Sequence, residues 1–375
     1  MNKLEKAHLF VKKLSNAYLE REEVAEGILL SLITKQHCLL VGPPGTGKSA
    51  MIEAAAKQIE GACYYRWLLT KFSSPDELYG PVSVEALKND SFHRKTSGKL
   101  PEAQIAFLDE VFKANSAILN SLLSLINERL FFNDGEPSHS PLVTMFAASN
   151  ELPAGDEEAT LQALSDRFLL RYEISYIASN KNKMALLLND SPEPEPVLAL
   201  ADLDALHADV RQIKFTDKAV EALVAIVDGL RREGIVVSDR RMKQSVLLLK
   251  AKALLAGAGT VETDRDFAIL QHAFWASPDQ QSAVAQMVVR IANPAEAELE
   301  EIARAIREAA EAAAQEGDIK KKLASIKRIA RSIKRIQQIA EKLSPAVQIK
   351  AERLVGQAEE QIKRLTGEVM SGVTE

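Results

Sequence analysis

The stretch His37-Cys38-Leu39-Leu40-Val41-Gly42-Pro43-Pro44-Gly45-Thr46-Gly47-Lys48-Ser49 decides the fold. Its first five residues are an apolar run of the length of a buried strand. The next eight fit G-x-x-x-x-G-K-[ST], and a helical pattern follows over 48–59. The glycines let the backbone curl until its N–H groups point inward at a phosphate, and the helix that starts there adds the positive end of its dipole. Lys48 would then reach the β- and γ-phosphates, and the Ser49 hydroxyl would ligate Mg²⁺. Gly42, Pro43, Pro44, Gly45, Thr46, Gly47, Lys48 and Ser49 are therefore the expected nucleotide-binding residues, with ATP and Mg²⁺ as cofactors.

Working outward, residues 2–17 and 22–34 carry apolar side chains at helical spacing and lead into the strand. Further short apolar runs occur at 62–69, 105–108, 142–148 and 168–174, separated by helix-like stretches such as 115–128. Buried strands alternating with helices predict an α/β architecture, a parallel sheet with helices on both faces. One strand carries the second half of the chemistry. Ile105-Ala106-Phe107-Leu108 delivers Asp109 and Glu110 at its C-terminal end. There Asp109 can hold the Mg²⁺ shell alongside Ser49, and Glu110 can orient and deprotonate the attacking water.

With GPPGTGKS and IAFLDE in this order, the chain resembles the AAA+ ATPases. Asp109-Glu110-Val111-Phe112-Lys113, Ala117-Ile118-Leu119-Asn120 and Ile126-Asn127-Glu128-Arg129 are similar to the MoxR branch. Phe72-Ser73-Ser74-Pro75, Tyr79-Gly80-Pro81, Leu100-Pro101-Glu102-Ala103, Ala148-Ser149-Asn150-Glu151-Leu152-Pro153 and Val237-Ser238-Asp239-Arg240-Arg241 resemble its RavA subfamily. The resemblance covers about residues 1–276. It implies a P-loop AAA+ core followed by an all-α lid domain, and catalytic roles for Glu110, Asn150, Arg167 and Arg240. Asn150 takes the sensor-1 place, where an uncharged amide can hold the γ-phosphate or the lytic water. Arg167 matches the arginine finger inserted into the neighbouring subunit's site, stabilising charge on the transferring phosphoryl group. Arg240 matches sensor 2, with Arg241 its rival one register step away. Glu20-Arg21-Glu22-Glu23-Val24 falls where relatives pack the adenine, and equally suits a solvated helix start.

Between Tyr79 and Pro101 the family places a β-hairpin-bearing insertion, with Asn89-Asp90 as a turn here. Leu130–Pro141, containing Asn133-Asp134-Gly135, suits a second hairpin. His93-Arg94-Lys95 reads as a solvated basic loop ahead of a substrate contact. The family further implies a ring, expected to be a hexamer, that remodels a protein client alongside a partner with a von Willebrand factor A domain. The rival readings are a nucleic-acid motor or loader and a nucleotide-gated scaffold.

The domains read as 1–188 for the nucleotide-binding core, 189–197 for a Pro- and acid-rich linker, 198–276 for the lid and 277–375 for a C-terminal helical hairpin or bundle. Lid helices are expected near 198–209, 216–233, 238–256 and 263–275. Beyond Pro294 three apolar stripes at helical spacing meet at Gly317 and Pro345, where helices should stop. The 375 residues sum to a net charge of −5, against a globally basic nucleic-acid coat. Charge is local instead: residues 294–318 hold eight acidic and two basic groups, and residues 319–342 nine basic and one acidic. An antiparallel pair would set these side by side. With no aromatic residue beyond 276 to stack on bases, intramolecular pairing is favoured over nucleic acid. No apolar stretch is long enough for a membrane span, and the N-terminus, with charges among its apolar positions, is expected to carry no signal-type apolar block. Cys38 and Cys63, each in an apolar run, suit buried thiols, and a cytoplasmic location is expected.

Overall fold

Strand β1 (His37–Val41) is buried at all five positions, as a parallel strand covered on both faces must be. Four more strands, β2 (Tyr64–Leu68), β3 (Ile105–Asp109), β4 (Thr144–Ser149) and β5 (Phe168–Glu173), complete a five-stranded sheet. Its order is β2-β3-β4-β1-β5 and every pair is parallel. The computed structural model describes residues 1–152, 159–188, 193–315, 319–340 and 345–371, and divides into two units, Met1–Val284 and Ala285–Glu375. Among the described residues no helix is long and apolar enough to cross a membrane.

Register matters more than strand count. Val41 pairs with Ser149, and Ala147 with Leu108. The C-terminal ends of β1, β3 and β4 therefore lie level. Gly42, Asp109 and Asn150, each one step from those paired residues, and Glu110 after Asp109 are delivered to one edge of the sheet, the edge where open α/β sheets bind ligands.

The helices of this unit follow local rules. Helix α1 (Lys3–Ala17) opens with a capping box of Asn2 and Glu5. In α2 (Glu22–Thr34) every residue from Val24 on is buried except Glu26, which explains its almost continuous apolar run. Helix α3 (Lys48–Lys57) leaves the phosphate loop, and α4 (Ser116–Glu128) is capped by Asn115, whose side chain accepts from the Ile118 N–H. Helices α5 (Ala159–Arg167) and α6 (Asn180–Leu188) flank β5 in sequence. The all-α lid begins with α7 (Leu200–Gln212), α8 (Asp217–Arg232) and α9 (Asp239–Leu255), close to the expected bounds. The expected helix over 263–275 is instead a single turn, Thr263–Asp266, running into a 3₁₀ segment, Phe267–His272.

Other expectations need correction. Cys38 is buried, but Cys63 is exposed: it precedes β2, after a turn at Gly61 (φ 78°), and its N–H donates to Gln104. The insertion after Tyr79 is not a β-hairpin. It holds a short helix, Val84–Lys88, capped by Ser83, and a single antiparallel bridge between Val82 and Arg94. Arg94 is no free basic loop residue either, because its guanidinium is held by Asp76 and the Gly80 carbonyl. The hairpin Leu130–Asn133 with Glu136–His139 does form, with Asp134 and Gly135 both at positive φ as its two-residue turn requires. Leu198 and Ala199, expected to begin the first lid helix, instead pair with Ile59 and Glu60, a strand too short to leave a sequence pattern. Residues 189–192 of the expected linker, Pro153 and Gly317 lie outside the described residues.

In the second unit α10 (Pro294–Gln315), α11 (Ile319–Ala340) and α12 (Pro345–Ser371) form a bundle. Leu299, Ile302 and Ile306 share its core with Ile329, Ile333 and Ile336 and with Ala351, Ala358 and Leu365. The acidic helix draws cations from both of its neighbours in the bundle. Arg335 pairs with Glu298, but Glu296 and Glu300 are taken by Lys350 of α12. Lys327, Arg328, Arg331 and Lys334 are exposed and form no ion pair among the described residues, because the apolar stripe that docks α11 turns them outward.

Candidate functional site

The phosphate loop is built by backbone geometry. At Gly42 a Cβ would stand 2.0 Å from the Ile174 carbonyl oxygen, so no side chain fits. Gly45 (φ 78°) and Gly47 (φ 82°) occupy the left-handed region that favours glycine. Gly47 caps α3 without a side chain, which leaves the first N–H groups of the helix to an anion. Lys48 is largely buried, and its ammonium donates to the carbonyls of Gly42 (2.5 Å) and Pro43 (2.9 Å). Burial lowers its pKa from the ordinary lysine value, against the opposing pull of Asp109 and Glu110.

The level strand ends then close the site. Ser49 Oγ donates to Asp109 Oδ2 at 3.2 Å, joining the two residues expected to share Mg²⁺. Asn150 donates its amide to Glu110 Oε1, and its own Oδ1 lies 3.5 Å from Lys48 Nζ. Glu110 Oε2 is buried and accepts no hydrogen bond among the described residues. These groups line a cleft of about 400 Å³, within the size range of small-ligand sites. A loop of inward N–H groups, a buried ammonium, a hydroxyl beside a carboxylate and a carboxylate oxygen that accepts no hydrogen bond fit a magnesium–nucleoside triphosphate and its lytic water.

A second cleft, of about 440 Å³, adjoins the loop at Gly45–Gly47 and is walled by Tyr18, Leu19, Tyr176, Ile177 and Leu186. The Tyr176 hydroxyl donates to the Pro44 carbonyl at 3.2 Å, tying this wall to the phosphate loop.

Arg167 and Arg240 lie elsewhere. They share a cavity of about 800 Å³ with Thr34–His37, Ile126–Arg129, His207 and Arg211. His37 starts β1 and Gly42 follows its end, so this cavity sits at the opposite end of the strand from the phosphate loop. The structure does not bring Arg240 or Arg167 to Lys48 of the same chain. Arg167 Nε donates to Asn127 Oδ1 (3.0 Å) and a terminal nitrogen donates to the Ala163 carbonyl (2.7 Å). Burial and then the neighbouring Arg240 hold its guanidinium below the ordinary arginine range. Asp166 is not its partner: that carboxylate accepts from Ser238 and faces Arg240 at 3.9 Å. Arg241 is buried and donates to the carbonyls of Phe168, Leu169 and Ala273, which makes it an anchor between β5 and the lid.

A family model described as the MoxR domain in the MoxR-vWA-beta-propeller ternary systems matches residues 3–214, and an AAA lid domain matches residues 218–288. The chain is 42% identical over 289 residues to the uncharacterized protein MJ0812 of Methanocaldococcus jannaschii, covering 75% of this chain and 74% of that one. It is 24% identical over 234 residues to the chaperone MoxR1 of Mycobacterium tuberculosis, covering 61% and 60% respectively. A crystal structure from Cytophaga hutchinsonii shares the fold with a TM-score of 0.62 at 16% identity, covering 77% of this chain and 94% of that chain. The chain belongs to the MoxR family of AAA+ ATPases.

Within this MoxR-family fold, the cleft beside Tyr18 and Tyr176 is what motif reading missed. The expectation placed adenine contacts at Glu20–Val24, and of these Arg21 does line the cleft. Glu20 instead turns away to accept from the N–H groups of Ala178 and Ser179 and from Asn182, and those bonds hold its carboxyl at about 2. The walls come from the end of α1 and from the segment after β5, more than 150 positions apart in sequence. No local spacing could have joined them. The one available signal was a tyrosine at each helix-flanking joint.

Proposed function

We propose that this MoxR-family chain is a Mg²⁺-dependent ATP hydrolase that works as a ring, expected to be hexameric, and remodels a protein client. The observation that carries the reading is the shared strand register, which puts Lys48-Ser49, Asp109-Glu110 and Asn150 on one edge. Magnesium, which Ser49 and Asp109 would hold, would supply positive charge against the charge developing on the phosphates. The chain's own residues do the rest. Loop N–H groups and Lys48 bind the phosphates; Ser49 and Asp109 would hold the metal; Glu110 accepts the proton of the attacking water through Oε2; Asn150 fixes Glu110 by its other oxygen. The tyrosine-walled cleft supports stacking of the base beside the loop.

Arg167 and Arg240, being remote from their own phosphate loop, suit the site of an adjacent copy, which is the reason for the ring. The chaperone role draws on the name of MoxR1, and a von Willebrand factor A partner on the description of the family. Exposed Phe72, Val84, Leu87 and Phe92 on the segment after β2 support contact with a protein client.

The test is steady-state phosphate release with a parallel nucleotide-binding titration. Lys48→Ala should lose ATP binding. Glu110→Gln should bind ATP normally and turn over at least about 100-fold more slowly, since the general base is removed. Wild-type turnover in the Glu110→Gln variant would sink the assignment. A client retained on that variant by ATP and released by the wild type would support remodelling.

A further inference from the structure

Glu110 is held in an unusual way. It is a non-glycine residue at φ 54°, and its carbonyl accepts from the Lys113 N–H at 2.9 Å, closing a 3₁₀ turn over Val111–Lys113. Val111 is fully buried and anchors that turn in the core. The turn brings Lys113 back over the carboxylate, with Nζ 3.2 Å from Glu110 Oε2. Among the described residues it is the one cation within 4.0 Å of this carboxylate, because Lys48 is committed to the loop carbonyls.

The two oxygens of Glu110 thus have different fates. Oε1 accepts from Asn150. Oε2 is the oxygen left for a water, and the Lys113 ammonium stands against it without making a hydrogen bond. An ammonium there competes with a water for the same lone pairs. Glu110 has 13% of its side chain exposed and Lys113 57%, so the restraint on a sheltered base can be reached from outside.

We propose that Lys113 is a positioning residue that restrains Glu110 and so brakes hydrolysis. The proposal rests on the ATP hydrolase reading and adds its regulation. Lys113 touches no reacting atom; it acts through the carboxylate. Because the turn is fixed by Val111 and by backbone bonding, removing the side chain charge should leave the turn in place.

Two measurements on the full chain test this. In steady-state ATPase assays Lys113→Gln should raise kcat by about fivefold, a small part of what a general base contributes, with KM for ATP unchanged. Lys113→Arg, which keeps the charge, should restore the low turnover, and Lys113→Gln combined with Glu110→Gln should be as slow as Glu110→Gln alone. Independently of turnover, the ¹⁵Nζ resonance of Lys113 in the nucleotide-free protein, identified by its loss in Lys113→Gln, should shift in Glu110→Gln. A kcat for Lys113→Gln at or below wild type, or an unmoved resonance, overturns the brake. If wild type and Lys113→Gln both fail to hydrolyse ATP, the enzymatic reading falls with it; if wild type hydrolyses ATP and only the rise is missing, the brake alone falls.

Discussion

Adjacent arginines at the start of α9 divide their labour by position on the helix. Arg240 and Arg241 are one residue, and so about 100° of helix rotation, apart. Arg241 is buried, donates to three backbone carbonyls, and is pulled down to about 10 by burial. Arg240 faces the cavity that it shares with Arg167. Arg241→Ala should therefore cost about 3 kcal/mol, because several buried acceptors lose their donor at once. Arg240→Ala should leave stability nearly unchanged while slowing ATP turnover. Urea unfolding of the two variants beside their ATPase rates checks this, and equal destabilisation would mean that both are structural. The two arginines were indistinguishable in the sequence because the motif supplies the residue types but not the helix phase. The phosphate-loop and Asp109-Glu110 residues were legible, since their chemistry needs consecutive residues at a strand end.

Strands were legible for a similar reason: each is a short apolar run, and runs survive translation into a parallel sheet. The insertion after Tyr79 was not, because Ser83 caps a helical turn and Arg94 is fastened by Asp76 and Gly80, contacts that no period-2 or period-3.6 pattern records. The N-terminal end of β1 has a comparable hidden fastening. His37 Nδ1 accepts from the Met145 N–H at 2.9 Å, which leaves the proton on Nε2 to be donated to the Ile126 carbonyl at 3.1 Å. One ring thus joins β1, β4 and the end of α4. Burial, and then nearby Arg129, depress its pKa from 6.5 to about 3. The unfolded chain therefore takes up a proton first, and this contribution, complete above pH 6.5, is lost as pH falls toward about 3. Stability should drop by about 2 kcal/mol between pH 7 and pH 5 from this group. Urea unfolding at the two pH values should show that loss in wild type and a much smaller one in His37→Gln; parallel losses would rule out His37 as its source.

For the whole molecule the governing distance is the length of β1. Five residues at about 3.3 Å each put roughly 16 Å of strand between the cavity of Arg167 and the phosphate loop. An arginine side chain cannot cross that, so under the proposed function a single copy would hold two half-sites facing opposite ways. Two such halves on one rigid sheet are the arrangement that a closed ring of identical contacts completes. It follows that Lys48→Ala and Arg167→Ala should each be nearly inactive by themselves, for different reasons. A subunit with Arg167→Ala still has an intact phosphate loop, and one with Lys48→Ala still has an intact finger. Where the two are neighbours in the right order, a complete site reappears. Random mixing in equal amounts should then recover about a quarter of wild-type turnover, the share of contacts that have both halves intact. The measurement is phosphate release after the two variants are mixed and allowed to exchange, with each alone as control. If Arg167 acts within its own chain, no such recovery occurs, because every copy in the mixture then carries one defective half.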